Sequence, residues 1–342
     1  MPTVPLPLVG PDYADETASF GAEHTVNYFP EISGTQGTRS RTILRTHAGL
    51  TAFATELAGA VRGMRVAGGV LYVVAGEVLY SIDSGGNSEN LGTILGGGRC
   101  VLTDNFIPST RRQVVIMTGE RGYVYDTVAG LSEITDTDFT DVATYESVTF
   151  VDNYIITETE DGFIYSAVTD ATDWNALDFK TAESAPDSVL AVWSVYGDLW
   201  VMGARTIEVF RVTGDADDPF QRVQTIEKGI GARYSCANLD NGVFWIDETG
   251  RVYRANGFSP VRVSDHSVEQ YLASVEYSEA FAFTFVDRGH EFYGFTVPGG
   301  KTFLYDVATQ LWHRRSWLHS RCRPLRPRGE RTAADSRRVG SR

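Results

Sequence analysis

A repeated pair of short apolar strands is the feature that most constrains the fold of this chain. Each copy consists of a turn, an apolar run, a second turn and a second run with an aromatic residue near its middle. Six copies follow one another, and the aromatic residues that mark them are Tyr80, Tyr125, Tyr165, Phe210, Tyr253 and Tyr305. These positions lie 45, 40, 45, 43 and 52 residues apart, near the roughly 40–50 residues of one four-stranded propeller blade.

Packing favours a propeller for such a repeat. A short hairpin cannot bury its apolar face alone, whereas blades packed face to face around an axis can. The fourth copy has further apolar runs at 189–193 and 220–224, which give it four strands. We therefore predict an all-β fold, a β-propeller of about six four-stranded blades with an extended N-terminal arm. The pattern leaves open a β-sandwich or two β domains, and the best helix candidate spans residues 266–274.

The two ends of the chain differ from the repeats. Residues 1–43 are rich in Pro, Gly, Thr and Asp and are predicted to form the arm, and residues 44–317 are predicted to form the propeller. Residues 44–57 are expected to supply strands that pair with the last blade and close the ring. Residues 318–342 form an Arg-rich tail of disordered composition, and a truncated or frame-shifted end is the alternative. We expect neither a secretory signal nor a transmembrane helix.

Charge is unevenly distributed along the chain. The net charge is −14 at pH 7. The last 22 residues contain eight arginines and two acids, a net +6, so the preceding 320 residues carry −20. An acidic body of this kind repels nucleic-acid phosphates, which excludes a DNA-gripping surface but suits a passage through which DNA slides. The cysteines lie far apart, which argues against a disulfide framework and a zinc site.

Residue patterns of catalytic and cofactor sites are missing from the sequence. It contains no P-loop, dinucleotide-binding glycine motif, zinc-protease motif or nucleophile elbow. Glu158, Glu160 and Asp161 cluster beside a turn and could form a glycosidase-like pair. The acidic loops 136–141 and 214–218 match calcium loops only in part. We therefore expect no catalytic residue, no cofactor and no metal.

Several motifs, in order along the chain, resemble those of a known family. Residues 206–210 read Thr-Ile-Glu-Val-Phe, and residues 228–231 read Lys-Gly-Ile-Gly. Three further stretches agree, at residues 27–31, 45–50 and 173–187. Together they cover about residues 25–317. This part of the chain resembles the packaged-DNA stabilisation proteins of short-tailed, podovirus-type phages, which are also called tail hub or nozzle proteins.

The resemblance implies a structural role without catalysis. Members of this family form a propeller body that assembles as a homo-oligomeric ring, a hexamer in characterised cases, against the portal and adaptor proteins. The ring retains packaged double-stranded DNA and forms part of the channel for genome ejection, and the tail needle is a further partner. The chain is then expected in the virion tail, after assembly in the host cytoplasm, without contact to a membrane. A carbohydrate-active or protein-interaction propeller is the alternative.

The residues that the motifs single out are interfacial or structural. Tyr28, Phe29 and Pro30 are the candidate interface, because an exposed apolar arm rarely stays uncovered; alternatively, they cover the propeller's own side. Gly229 and Gly231 are expected in a tight turn that requires positive φ. The positions of the family motif that are expected to be blade and turn structure are Thr206, Ile207, Glu208, Phe210, Lys228, Gly229 and Gly231.

Overall fold

Six antiparallel sheets of four strands each succeed one another along the chain. They form a six-bladed β-propeller, which confirms the predicted fold class. The predicted Arg-rich tail, residues 318–342, lies outside the described residues. The computed structural model describes residues 13–14, 22–32, 42–106, 112–182 and 187–316.

Two short hairpins precede the first blade. They consist of strands β1 (Tyr13–Ala14) and β2 (Ala22–Glu23), and of strands β3 (Tyr28–Ile32) and β4 (Thr42–Thr46). The first blade begins at Val61. Residues 47–60 therefore connect the second hairpin to the propeller.

Each blade consists of four strands that pair in chain order, with the first strand innermost. The strands of blades 1 to 3 are β5 (Val61–Ala67), β6 (Val70–Ala75), β7 (Val78–Ile82), β8 (Ser88–Thr93), β9 (Val101–Phe106), β10 (Arg112–Met117), β11 (Gly122–Asp126), β12 (Gly130–Glu133), β13 (Val148–Val151), β14 (Tyr154–Glu158), β15 (Gly162–Ala167) and β16 (Asp170–Thr181). The strands of blades 4 to 6 are β17 (Val189–Val195), β18 (Asp198–Gly203), β19 (Ile207–Val212), β20 (Phe220–Ile226), β21 (Ala237–Leu239), β22 (Gly242–Ile246), β23 (Val252–Asn256), β24 (Ser259–Arg262), β25 (Phe281–Asp287), β26 (His290–Thr296), β27 (Thr302–Asp306) and β28 (Leu311–Arg315).

Short helices lie only in connections between blades of the described chain. They are α1 (Thr137–Thr140), a 3-10 helix (Arg233–Ser235) and α2 (His266–Ala273). The helix expected over 266–274 is thus confirmed, and its N-cap Asp265 accepts a hydrogen bond from the Val268 N–H at 2.9 Å. Within the described ranges, no helix has the length and apolar character needed to cross a membrane.

The second strand of each blade explains the continuous apolar runs of the repeat. In β18 every residue after the first is buried, and in β22 all five are. Neighbouring blades cover both faces of these strands, so the strands do not alternate between apolar and polar residues. The fourth strands lie at the rim, and most residues of β20 and β24 are exposed.

Among the described residues, tight turns connect the first and second strands in five blades. Both turn residues have positive φ, the geometry of a type I′ hairpin, which matches the twist of the flanking strands. Glycine and asparagine tolerate this conformation best. The five turns are Gly68-Gly69, Asp152-Asn153, Tyr196-Gly197, Asp240-Asn241 and Arg288-Gly289.

Apolar cores lie between successive blades. Phe163 of blade 3 meets Phe210 of blade 4 edge-on, with ring centroids 5.1 Å apart. Phe244 of blade 5 stacks on Tyr293 of blade 6 at 4.8 Å. Aromatic pairs at these distances add to the stabilisation from buried area. Aromatic residues such as these therefore hold one blade against the next.

Residues 24–32 and 42–57, which we call the N-terminal segment, lie against the last blade and the first. Leu57 packs against Val73 and Tyr80 of blade 1, and Phe29 packs on blade 6. Val26 forms a parallel bridge with Arg314, whose carbonyl accepts a hydrogen bond from the Asn27 N–H at 2.8 Å. The expectation that residues 44–57 pair with the last blade was wrong, because strand β4 pairs with β3 instead.

Candidate functional site

The innermost strands of the six blades surround a central channel that holds a cavity of about 650 Å³. Its walls combine aromatic side chains, such as Phe150, Trp193 and Phe283, with polar ones, such as Thr103 and Asn238. A cavity of this size can hold a small organic molecule.

One end of the channel is rich in arginine. Arg62 is the second residue of β5, Arg99 lies just before β9, and Arg233 begins the 3-10 helix before β21. Tyr234 and Phe281 lie beside them, where the last two blades enter the channel. We name these five residues the channel mouth. It concentrates positive charge in an otherwise acidic body.

Glu158, a candidate catalytic carboxylate, is a buried structural group. It is 1% exposed and accepts hydrogen bonds from the Thr144 hydroxyl at 2.6 Å and the Ser147 N–H at 2.7 Å. Burial raises the pKa of Glu158, although the hydrogen bonds from Ser147 and Thr144 oppose the rise. Glu160 and Asp161 lie exposed in the next turn, and none of the three carboxylates lines the channel. They do not form a glycosidase-like pair.

The acidic loops use their carboxylates to hold the backbone. Asp136 accepts a hydrogen bond from the Asp138 N–H at 3.0 Å and another from the Trp174 N–H at 3.3 Å. In the second loop, Asp215 accepts one from the Asp217 N–H at 3.0 Å. In the described part of the chain, no three His, Cys, Asp or Glu side chains are grouped as metal ligands.

The three candidate interface residues divide between the inside and the outside of the molecule. Phe29 is 0% exposed, and its ring lies 5.3 Å from that of Phe292 and 4.9 Å from that of His47. Pro30 is also buried, whereas Tyr28 is 43% exposed. Phe29 and Pro30 therefore cover the propeller's own side. Only Tyr28 remains available to a neighbouring protein.

A buried histidine pair joins the N-terminal segment to the last blade beside Phe29. The Nε2 atoms of His47 and His313 are 2.7 Å apart, and the rings stack with centroids at 4.9 Å. Burial, followed by the charge of Arg315, lowers the pKa of His47 to about 4, although Asp287 opposes this. Burial, followed by His47, lowers the pKa of His313 to about 3. Both rings are therefore neutral at pH 7.

The strand of the family motif is part of the interior of blade 4. Thr206 donates its hydroxyl hydrogen to Asp187 at 3.2 Å. Glu208 is 2% exposed and forms an ion pair with Arg222 at 3.0 Å. The apolar members of the motif in β19 are also buried: Ile207 and Phe210.

The second half of the motif lies where blade 4 meets blade 5. The Lys228 ammonium lies over the ring of Tyr253, 5.5 Å from its centre. The expectation of positive φ at Gly229 and Gly231 was wrong, because neither residue adopts it. A Cβ atom on Gly229 would lie 2.2 Å from the carbonyl of Ala204, and one on Gly231 would lie 2.4 Å from a carbonyl just after β22. Close backbone approach is what requires glycine here.

The sequence did not single out two kinds of residue that the structure shows to be important. Asp126 and Asp306 end the third strands of their blades, and each accepts hydrogen bonds from the turn that follows, such as that from the Val128 N–H at 2.7 Å. A repeated Tyr-Asp dipeptide, at 125–126 and 305–306, could have revealed them. The arginines of the channel mouth share no motif, because they come from three different blades.

Six blades around a channel define the class of this protein as a β-propeller. Comparison with protein-family models matches residues 3–324 to the phage stabilisation family described as bacteriophage P22 Gp10, β-propeller. The chain belongs to that family, as its motifs predicted. Membership gives it a structural role in the stabilisation of phage DNA.

Solved structures agree with the fold. Virginiamycin B lyase from Staphylococcus aureus has a TM-score of 0.53 and 10% identity, over 78% of this chain and 87% of that one. A streptogramin B lyase has a TM-score of 0.52 and 10% identity, over 78% of this chain and 86% of that one. At such identities the likeness concerns the fold alone. No curated protein sequence matches the chain.

Proposed function

We propose that this protein is a tail hub, or nozzle, component of a short-tailed phage. It joins the portal and adaptor assembly as a homo-oligomeric ring of six copies. In that position it retains the packaged DNA, forms part of the ejection channel and meets the tail needle. The family match over residues 3–324 is the observation that carries this proposal.

The charge of the chain supports a role as a conduit. Residues 1–320 carry a net −20. A surface of this sign releases DNA instead of holding it, because phosphates and carboxylates repel each other. The ring would therefore let DNA slide through without sequence-specific contacts.

The carbohydrate-active alternative loses its candidate residues. Glu158 is fully engaged by buried donors, and Glu160 faces solvent. A generic protein-interaction propeller would bind a partner other than the phage adaptor. The following experiment therefore tests binding to the adaptor.

Mass photometry of the full chain, alone and mixed with the adaptor ring of the same phage, tests the proposal. We expect a six-fold ring, or its formation once adaptor is added. Tyr28→Ala should weaken this assembly, because Tyr28 is an exposed aromatic residue of the N-terminal segment. Tyr196→Ala is the matched control, since Tyr196 is 64% exposed in a blade turn. A chain that stays monomeric and never joins the adaptor would refute the proposal.

A further inference from the structure

The guanidinium of Arg99 lies over two aromatic rings at the channel mouth. It lies 3.9 Å from the ring centre of Phe281 and 5.5 Å from that of Tyr234. Among the described residues, it donates no hydrogen bond and forms no ion pair. Stacking on aromatic faces leaves the in-plane N–H groups of a guanidinium free, and these are the groups that bind a carboxylate or phosphate as a fork.

Arg62 adds a second positive charge without a carboxylate partner at the same place. Its Nε and Nη1 atoms donate to the backbone carbonyls of Gly98 and Gly76, at 2.6 and 3.1 Å. Its Nη2 atom is buried and has no hydrogen-bond partner in the described part of the chain. Arg62 and Arg99 both line the cavity of the central channel.

The acidic residues described near the channel mouth do not form ion pairs with Arg62 or Arg99. Glu146 forms an ion pair with Arg233, and Asp104 forms one with Arg65 at 3.1 Å. Glu279 acts on Arg99 only at longer range. Burial lowers the pKa of Arg99, because its charge has lost hydrating water. A bound oxyanion would replace that water with charge-assisted hydrogen bonds.

The cavity behind the arginines suits an organic ligand better than a bare ion. It measures about 650 Å³ and has Phe150, Trp193 and Phe283 in its walls. Ligand sites commonly combine such apolar walls with a few polar groups that fix orientation. We propose that the channel mouth binds a small organic oxyanion, a phosphate monoester or carboxylate with a planar ring, and that Arg99 is its main contact. This site is independent of the proposed role in the phage tail.

Isothermal titration calorimetry of the full chain at low ionic strength tests the proposal. The probes are adenosine monophosphate for the phosphate class, benzoate for the carboxylate class and adenosine as the uncharged counterpart. We expect saturable binding of at least one anion, with adenosine at least tenfold weaker than its monophosphate if the phosphate class binds. Arg99→Gln should weaken anion binding at least tenfold. Arg211→Gln should leave binding unchanged, since it removes an exposed guanidinium paired with Asp198.

Chemical modification of the wild-type chain tests the same contact if Arg99→Gln does not fold. Phenylglyoxal modifies accessible guanidiniums, and mass spectrometry of the peptides locates the modified residue. The anion that binds should protect Arg99 and leave Arg211 reactive. The proposal is overturned if neither anion binds, or if adenosine monophosphate binds but adenosine binds equally tightly. It is also overturned if Arg99→Gln binds the anion like the wild-type chain, or if the anion does not protect Arg99.

Discussion

Replacement of Phe29 by alanine tests how the N-terminal segment completes the propeller. Phe29 is 0% exposed and lies against Phe292, His47 and His290, with ring centroids 5.3, 4.9 and 4.9 Å away. Its neighbour Tyr28 projects to the opposite side of β3 and is 43% exposed. The two adjacent aromatic residues therefore separate a packing role from a surface role.

The magnitude follows from the burial of the ring. Transfer of a Phe side chain out of water contributes about 1.5–3 kcal/mol, and the cavity left behind brings Phe→Ala changes in protein cores to about 3–5 kcal/mol. We expect Phe29→Ala to lower the free energy of unfolding, or of release of the segment, by about 3 kcal/mol or more. Tyr28→Ala should change it by less than about 1 kcal/mol, because Tyr28 is half exposed.

Urea unfolding followed by tryptophan fluorescence measures the global effect, and hydrogen exchange measures the local one. The informative amides are those of Asn27 and Arg314, which donate to the carbonyls of Arg314 and Thr25 at 2.8 and 2.9 Å. In Phe29→Ala both should exchange faster, even where the rest of the propeller stays protected. Unchanged exchange together with unfolding within about 1 kcal/mol of the parent would show that the ring does not hold the segment.

Three further predictions concern buried groups. Burial lowers the pKa of His313 from 6.5 to about 3, so between these values the unfolded chain binds a proton that the folded chain does not. The free energy of unfolding, measured in urea, should therefore fall by about 3–5 kcal/mol as the pH drops from about 6.5 toward 3. A flat profile would contradict the burial of this ring. Gly229→Ala should lower the free energy of unfolding by more than about 2 kcal/mol, because its Cβ would lie 2.2 Å from the backbone of Ala204. Gly97→Ala is the control and should leave the thermal midpoint almost unchanged, because a Cβ there would have nothing within 4 Å. Equal effects of the two changes would disprove the close approach. Glu158→Gln should lower the free energy of unfolding by about 1–3 kcal/mol, since its amide NH2 would face buried donors. Glu160→Gln, in the exposed turn, should show no loss of stability by calorimetry.

The blade repeat could be predicted from the sequence because its causes are local. Apolar runs such as those of β18 and β22 and turns such as Asp152-Asn153 are readable over a few residues. The short helix at 266–273 was predictable for the same reason, since Asp265 is a good N-cap. The ordered motifs identified the family.

The candidate site was less predictable, because local patterns do not say what a residue contacts. Glu158 and Glu160 look equivalent in the sequence, yet one is buried and the other is exposed. Gly229 was attributed to positive φ, although the backbone of another segment is what excludes a side chain there. Arg99 carries no signal at all, because its environment is assembled from other blades.

The sequence by itself determined the strands, the spacing of the blades and the family of this protein, since hairpins and their turns depend on neighbouring residues. Only the tertiary structure decided how the ring is completed. His47 and His313 are 266 residues apart and yet share a hydrogen bond, and Phe29 is buried beside them. The channel mouth likewise exists only once the blades surround an axis. Contacts over such distances depend on the whole fold, so no local pattern can specify them.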